Sequence, residues 1–174
     1  NAEKKDSTGI CFIGERPFPE FLSNYIDESP GPMCNESGDV IGHHKGLPFY
    51  TLGQRQGLGI GGQKSQDNRP WYVAKKNTET NVLTVVQGNE HPLLFSKTLT
   101  TKNLHLINPL KGSSFEGTAK VRYRQQDQDC KFKISDNKIN VEFINKQRSV
   151  TPGQSVVLYK DEICLGGGEI STIS

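Results

Sequence analysis

Apolar and polar residues alternate with a period of two through much of the chain. Ile139, Val141 and Phe143 are separated by Asn140 and Glu142. Phe132 and Ile134 are separated by Lys133, and Ala119, Val121 and Tyr123 are interleaved with Lys120, Arg122 and Arg124. Successive side chains of an extended chain point to opposite faces, so each run predicts a strand with one face toward a core. The runs are cut by Ser37-Gly38-Asp39, Glu79-Thr80-Asn81, Asp136-Asn137 and Lys160-Asp161, residue types that favour turns. Further strands are expected at Val40-Ile41, Pro48 to Leu52, Trp71 to Ala74, Asn81 to Val86, Val156 to Tyr159 and Ile163 to Leu165. One stretch has a helical period. Phe18, Phe21, Leu22 and Tyr25 fall on one face, Pro17 and Pro19 suit the first turn, and Ser29-Pro30-Gly31-Pro32 is read as its end.

The chain is therefore expected to be mainly β. Residues 1–25 form a polar lead-in and a short helix, 26–94 a small central β domain, and 95–174 a second β domain. In the latter, about six strands at roughly ten-residue spacing suggest a barrel or a sandwich.

Composition narrows the partners. With 174 residues the chain can bury one ordinary core or two small ones. Net charge is +2 and pI about 8.3, too mild for nucleic-acid binding by charge alone, so any RNA contact must come from local clustering. Mean hydropathy is −0.60; no apolar run is long enough for a membrane span or a signal peptide. The only methionine is Met33, which suggests a piece of a larger protein. The four cysteines, Cys11, Cys34, Cys130 and Cys164, are widely spaced with no CxxC pair. That argues against a zinc ribbon or a redox dithiol, and reduced thiols are expected.

Cys11 stands apart. Gly9 and Gly14 flank it, and Lys4, Lys5 and Arg16 supply positive potential, the setting in which a thiolate is stabilised and reachable. Cys130 and Cys164 lie in alternating runs and read as core; Cys34 reads as a loop residue. Gly57-Leu58-Gly59-Ile60-Gly61-Gly62 matches a dinucleotide-binding spacing, but loop residues follow it where a helix is required. Gln54, Arg55 and Lys64 flank that loop. Gly166-Gly167-Gly168 has no Lys-Ser or Lys-Thr after it and reads as a bend or bulge. His43, His44, His91 and His105 have no partner at metal-ligand spacing, so no metal site is expected. Arg122 and Arg124, at i and i+2, are expected on one strand face, where they would meet phosphates, with Lys120 extending the row. Strict alternation turns Tyr123 inward, unless it lies at the strand end, where its ring would stack on a base. A solvated charged face remains the plain alternative.

Several motifs together carry a resemblance. They are the Cys11 segment, Tyr50-Thr51-Leu52-Gly53-Gln54-Arg55, the Gly57 loop, Pro70-Trp71-Tyr72-Val73, Gln87-Gly88-Asn89-Glu90-His91-Pro92, Val121-Arg122-Tyr123-Arg124-Gln125, Val150-Thr151-Pro152-Gly153-Gln154 and Cys164-Leu165-Gly166-Gly167-Gly168. In this order they resemble the bacterial tRNA-specific 2-thiouridylases over nearly the whole chain. The resemblance implies a small central β domain and a C-terminal β-barrel similar to the second domain of elongation-factor GTPases. It implies a tRNA-uridine 2-sulfurtransferase that makes 2-thiouridine at the wobble position. ATP, with Mg2+, activates the uridine, and Cys11 carries the sulfur as a persulfide. A second cysteine then releases the sulfur, leaving a disulfide. It further implies tRNA contacts at Arg122, Tyr123, Arg124 and Gln154, a sulfur-relay protein or cysteine desulfurase as donor, a monomer and a cytoplasmic location. The ATP loop and the second cysteine have no match here, so the piece alone is expected to catalyse nothing.

The residues themselves leave other readings open: a non-catalytic tRNA-binding β module, a structural domain with an inert Cys11, or another sulfur or redox carrier that uses Cys11 alone. Thiol reactivity separates the sulfur-transfer reading from the first two, and salt-dependent RNA affinity separates the RNA module from the structural one.

Overall fold

The computed structural model describes residues 18–60, 69–107, 109–123 and 125–174, with the backbone alone at 18–20. Cys11, Gly61, Gly62, Lys64 and Arg124 lie outside the described residues.

The helix α1 is short, Phe18–Ser23. Phe21 and Tyr25 pack ring to ring at 5.0 Å, yet Tyr25 is exposed, so the expected apolar face is only partly covered. Four strands follow: β1 Gly31–Cys34, β2 Val40–His44, β3 Trp71–Asn77 and β4 Val82–Gln87. They form one sheet in the order β2-β1-β4-β3, with β1 parallel to β4 and the other pairs antiparallel.

Strand β1 corrects the reading of Pro30-Gly31-Pro32 as a mere break, and of Cys34 as a loop residue. Gly31 is required for close approach. A Cβ there would collide with the backbone carbonyl of Asn81, in the turn between β3 and β4. The Asn81 side-chain amide donates to the Pro30 carbonyl at 3.0 Å, and buried His44 lies 3.0 Å through Nε2 from the Asn81 carbonyl. Asn81 itself sits at φ 53, a conformation asparagine tolerates.

The second correction is Pro48 to Leu52. This segment is a 3₁₀ turn, Leu47–Phe49, followed by loop. Proline pre-sets the backbone angle of a first helical turn and cannot donate to a sheet ladder. Leu47 and Tyr50 join Met33, Leu58, Val73, Leu83 and Val85 in the core of this sheet.

After a 3₁₀ turn at Pro92–Leu94, six strands close into a barrel. They are β5 Phe95–Leu106, β6 Ser114–Lys120, β7 Gln128–Ser135, β8 Lys138–Arg148, β9 Ser155–Lys160 and β10 Ile163–Ile173. The order around the barrel is β10-β5-β8-β7-β6-β9. The barrel, rather than a sandwich, is thus the observed solution. Its interior holds the residues that the alternation assigned inward, among them Ala119, Val121, Cys130, Phe132, Ile139, Val141 and Phe143. Asp136 and Asn137, at φ 48 and 59, make the two-residue turn of the β7–β8 hairpin. Gly166-Gly167-Gly168 lies in β10, where register shifts occur against both β9 and β5. A Cβ at Gly166 would strike the His105 carbonyl, and one at Gly167 the Val156 carbonyl. The triplet is a bulge that lets the last strand turn the barrel corner and close it.

Barrel and sheet meet at the end of β8. Arg148 donates through Nε to the Asn89 carbonyl at 3.2 Å, and its guanidinium lies 5.1 Å from the Tyr72 ring centroid. The Ser149 N–H donates to the Leu94 carbonyl at 2.7 Å. Ser149 is buried at φ 53, against Gly53, where any Cβ would collide with its hydroxyl.

Candidate nucleic-acid interface

Strand β6 leaves the barrel at Lys120, and its neighbour β9 enters at Ser155, after the turn Thr151-Pro152-Gly153-Gln154. The two are paired antiparallel, Lys120 opposite Val157. Between the β6 exit and the β9 entry lies a groove of about 670 Å³, lined by Lys120, Arg122, Tyr123, Gln154, Ser155 and Tyr159 among others. The groove brings together three of the residues singled out from sequence, Arg122, Tyr123 and Gln154, from positions about thirty residues apart in the chain. Arg124 lies outside the described residues.

The placement of this motif differs from the expectation. Arg122 and Tyr123 are not strand residues; β6 ends at Lys120 and they occupy the turn beyond it. Tyr123 is 68% exposed and is not part of the core, whereas Val121 closes the inward row. The ring is therefore placed as the strand-end alternative required, at the mouth of the groove. Leaving the ladder also frees this segment from strict alternation, so consecutive residues, Arg122 and Tyr123, both face the groove.

Both cations of the groove, and the backbone of Gln154, have specific partners. Arg122 donates through Nη2 to the Ser149 carbonyl at 3.1 Å. Lys120 reaches Asp127 at 3.4 Å and lies 5.3 Å from the Tyr159 ring centroid, close enough for a cation–π contact. Gln154 caps the β9 entry: its N–H donates to the Thr151 carbonyl at 3.2 Å, and its carbonyl accepts from the Ile170 N–H at 2.7 Å. Cations, phenol rings and amides around an open groove suit a partner that has phosphates and flat bases.

A chain of amides supports the turn from behind. Gln125 accepts the Val121 N–H at 2.8 Å and donates to Gln147 at 2.9 Å. Gln147 in turn donates to Gln128 at 3.0 Å and to the Asn145 carbonyl at 2.8 Å. Gln147 is 5% exposed. Sequence reasoning passed over it. Its signal is interrupted, because Asn145, in the same phase as Ile139, Val141 and Phe143, is exposed before Gln147 is buried, and a buried polar residue requires partners.

Cys11 lies outside the described residues. Cys34, Cys130 and Cys164 are free thiols. Burial, with the nearby charge of Asp129, pushes the Cys130 thiol up to about 11, so it is protonated and inert at neutral pH. The Gly57 loop contains no helix as far as Ile60, and Leu58 is buried in the sheet core, so this part is a packed loop. Gln54 folds back on its own loop, accepting from the Thr51 N–H at 2.9 Å and donating to the Gln56 carbonyl at 2.9 Å. His91 accepts the Leu93 N–H through Nδ1 at 3.3 Å and lies 3.1 Å through Nε2 from Glu36. Among the described residues no three His, Cys, Asp or Glu side chains group as metal ligands, and no helix is long and apolar enough to cross a membrane.

Two family models match the chain. One, described as the tRNA methyl transferase PRC-barrel domain, covers residues 19–87; the other, the aminomethyltransferase β-barrel domain, covers residues 96–170. A protein of Pseudomonas entomophila is 55% identical over 172 residues, 98% of this chain and 46% of the relative. One of Hahella chejuensis is 53% identical over 98% of this chain and 47% of the relative, and one of Francisella tularensis is 54% identical over 97% and 47%. All three are named tRNA-specific 2-thiouridylase MnmA. The chain spans about half the length of the curated relatives it matches.

Proposed function

The chain belongs to the tRNA-specific 2-thiouridylase MnmA family, and from that premise we propose that it supplies the sulfur-carrying cysteine and part of the tRNA-binding surface of a tRNA-uridine 2-sulfurtransferase. The reaction replaces the C2 oxygen of the wobble uridine with sulfur. That oxygen is a poor leaving group, so ATP first adenylates it. A second cysteine thiolate attacks the Cys11 sulfur of the persulfide. The terminal sulfur leaves with the S–S electron pair and bonds to C2, and AMP departs with the C2–O pair. A disulfide remains, and two electrons from an external reductant return it to thiols. No residue of this chain is assigned to adenylation or to Mg2+, and the chain by itself binds tRNA weakly and turns nothing over. The sulfur comes from a cysteine desulfurase or a relay protein, and the protein acts as a monomer in the cytoplasm.

One observation carries the tRNA assignment. Arg122 and Tyr123 come from one motif and Gln154 from another, yet all three line one groove, which offers cationic and aromatic contacts together. Lys4, Lys5 and Arg16 around Cys11 support the persulfide assignment, since cations favour the anionic sulfur.

The test is a chimera, in which this chain is joined to the part of the Pseudomonas entomophila relative that it does not cover. With ATP and a sulfur source supplied, Cys11→Ser abolishes 2-thiouridine, read by mass spectrometry of digested tRNA, while tRNA affinity is retained. Undiminished 2-thiouridine overturns the role of Cys11 and leaves a tRNA-binding module without catalytic chemistry.

A further inference from the structure

We infer that the RNA-binding surface continues from the β6/β9 groove, over the Thr151–Gln154 turn, into a cleft between barrel and sheet, where Lys75 and Lys76 take backbone phosphates of the same tRNA. The inference rests on the groove being a tRNA site and extends that site to the four-stranded sheet.

The cleft has a volume of about 680 Å³, and its lining includes Lys75, Lys76 and Thr78 from the sheet side and Phe95, Thr151 and Pro152 from the barrel side. One turn separates it from the groove: Thr151 and Pro152 face the cleft, while Gln154 and Ser155 face the groove. A molecule lying in the groove and passing over this turn enters the cleft without a gap.

The side-chain charge in the cleft is of one sign: among the described residues no aspartate or glutamate lines it and neither lysine forms an ion pair, while Ser174, the last residue of the chain, also lines it and accepts the Lys97 and Thr98 N–H groups at 2.7 and 2.9 Å. The lysines arise from a local irregularity. The β3–β4 register shifts between Val73 and Lys75, and the bulge brings two consecutive lysines to one cleft. Lys76 is partly buried, and that burial lowers its pKa. A partly desolvated ammonium with no ion-pair partner gains more from an arriving anion than a fully solvated one does. Thr78 adds a hydroxyl on the sheet side, a usual companion of lysine at phosphates. Continuity with the groove selects RNA as the source of those phosphates over a free anion.

The experiment follows an unmodified tRNA transcript binding to the 174-residue chain, by fluorescence anisotropy across a KCl series. Each phosphate contact contributes about 0.7–0.9 to the slope of log K against log salt. That contribution fades near 1 M, so the Lys75→Gln/Lys76→Gln variant loses about 30-fold in affinity at 0.1 M, and its slope falls by about 1.5. Lys75→Arg/Lys76→Arg keeps both the slope and the affinity, which excludes a folding defect at these positions. Arg122→Ala is measured in parallel. If it lowers the slope and the glutamine pair does not, the extension is overturned and the groove stands. If the glutamine pair lowers the slope and Arg122→Ala does not, the lysine surface is upheld and the groove reading fails. If neither changes it, or the unaltered chain shows no salt-dependent binding, both are overturned.

Discussion

Replacing Gln147 by leucine tests whether the barrel interior holds the groove in shape. Gln147 makes three hydrogen bonds, to Gln125, to Gln128 and to the Asn145 carbonyl. Leucine has a similar volume, so the substitution removes the bonds without opening a large cavity. The groups left behind differ in how much they lose. Gln125 and Gln128 are half-buried and regain water, which holds the cost near the lower end of the usual range, about 0.5–1 kcal/mol per bond. Burying an apolar side chain returns part of that sum. The net loss is about 1–2 kcal/mol, and for a chain of this size it lowers the melting temperature by about 3–6 °C in calorimetry. Stability alone does not identify the network, so Gln125→Ala completes a double-mutant cycle. Gln125 and Gln147 touch, and their effects couple by about 0.5 kcal/mol or more. Gln125 also holds the Val121 N–H at 2.8 Å, at the root of the segment that bears Arg122 and Tyr123. Both variants therefore weaken tRNA binding at 25 °C, well below their unfolding transitions. Strictly additive losses together with unchanged tRNA affinity would refute the reasoning, for then the amides neither act as a chain nor position the turn.

Two further outcomes are expected. Gly166→Ala meets a left-handed backbone, φ +135, and a collision with the His105 carbonyl, and so costs at least about 2 kcal/mol; Gly153→Ala, at φ +88 with nothing within 4 Å, meets strain alone and costs less, and equal melting temperatures for the two variants would show that the bulge is not sterically required. Folding raises the Cys130 thiol from 9.0 to about 11, so the native state binds the proton more tightly than the unfolded chain, and stability is full below pH 9 and declines as pH rises from about 9 to 11; Cys130→Ala removes that share of the alkaline decline, and denaturation curves of identical pH dependence would contradict it.

The barrel strands were legible because the barrel's interior is apolar and its surface polar, so burial prints directly onto a period of two. Ile139, Val141 and Phe143 are all buried, and Asp136-Asn137 turns where it should. Strand β1 was not legible, because its entry is Gly31-Pro32, residues that disfavour strands everywhere except where a close backbone contact demands them. Pro48 to Leu52 misled for the opposite reason, since its apolar content serves a packed 3₁₀ turn as well as a strand. At the groove, the motif carrying Arg122 and Tyr123 could be named from sequence, but its geometry could not. Nothing local says that β6 stops at Lys120, or that Gln154 lies across from it, because both facts come from long-range pairing. Gln147 was hidden by its own chemistry, as a polar residue on an inward phase looks like a lapse in the pattern until its partners are known.

The joint at Arg148 and Ser149 bears on how the chain is divided into modules. The two family models part between residues 87 and 96, and a clone cut there would look natural on paper. Yet Leu94, Asn89 and Tyr72, the partners of that joint, lie on or before the cut, while Arg148 and Ser149 lie more than fifty residues after it. A barrel expressed from Phe95 onward would expose the Ser149 N–H and strand the Arg148 guanidinium. Moreover, the same Ser149 offers its carbonyl to Arg122. Inheritance and physical cooperativity thus draw their boundaries in different places, and a transplant that keeps the groove in shape has to bring residues 72–94 along with the barrel.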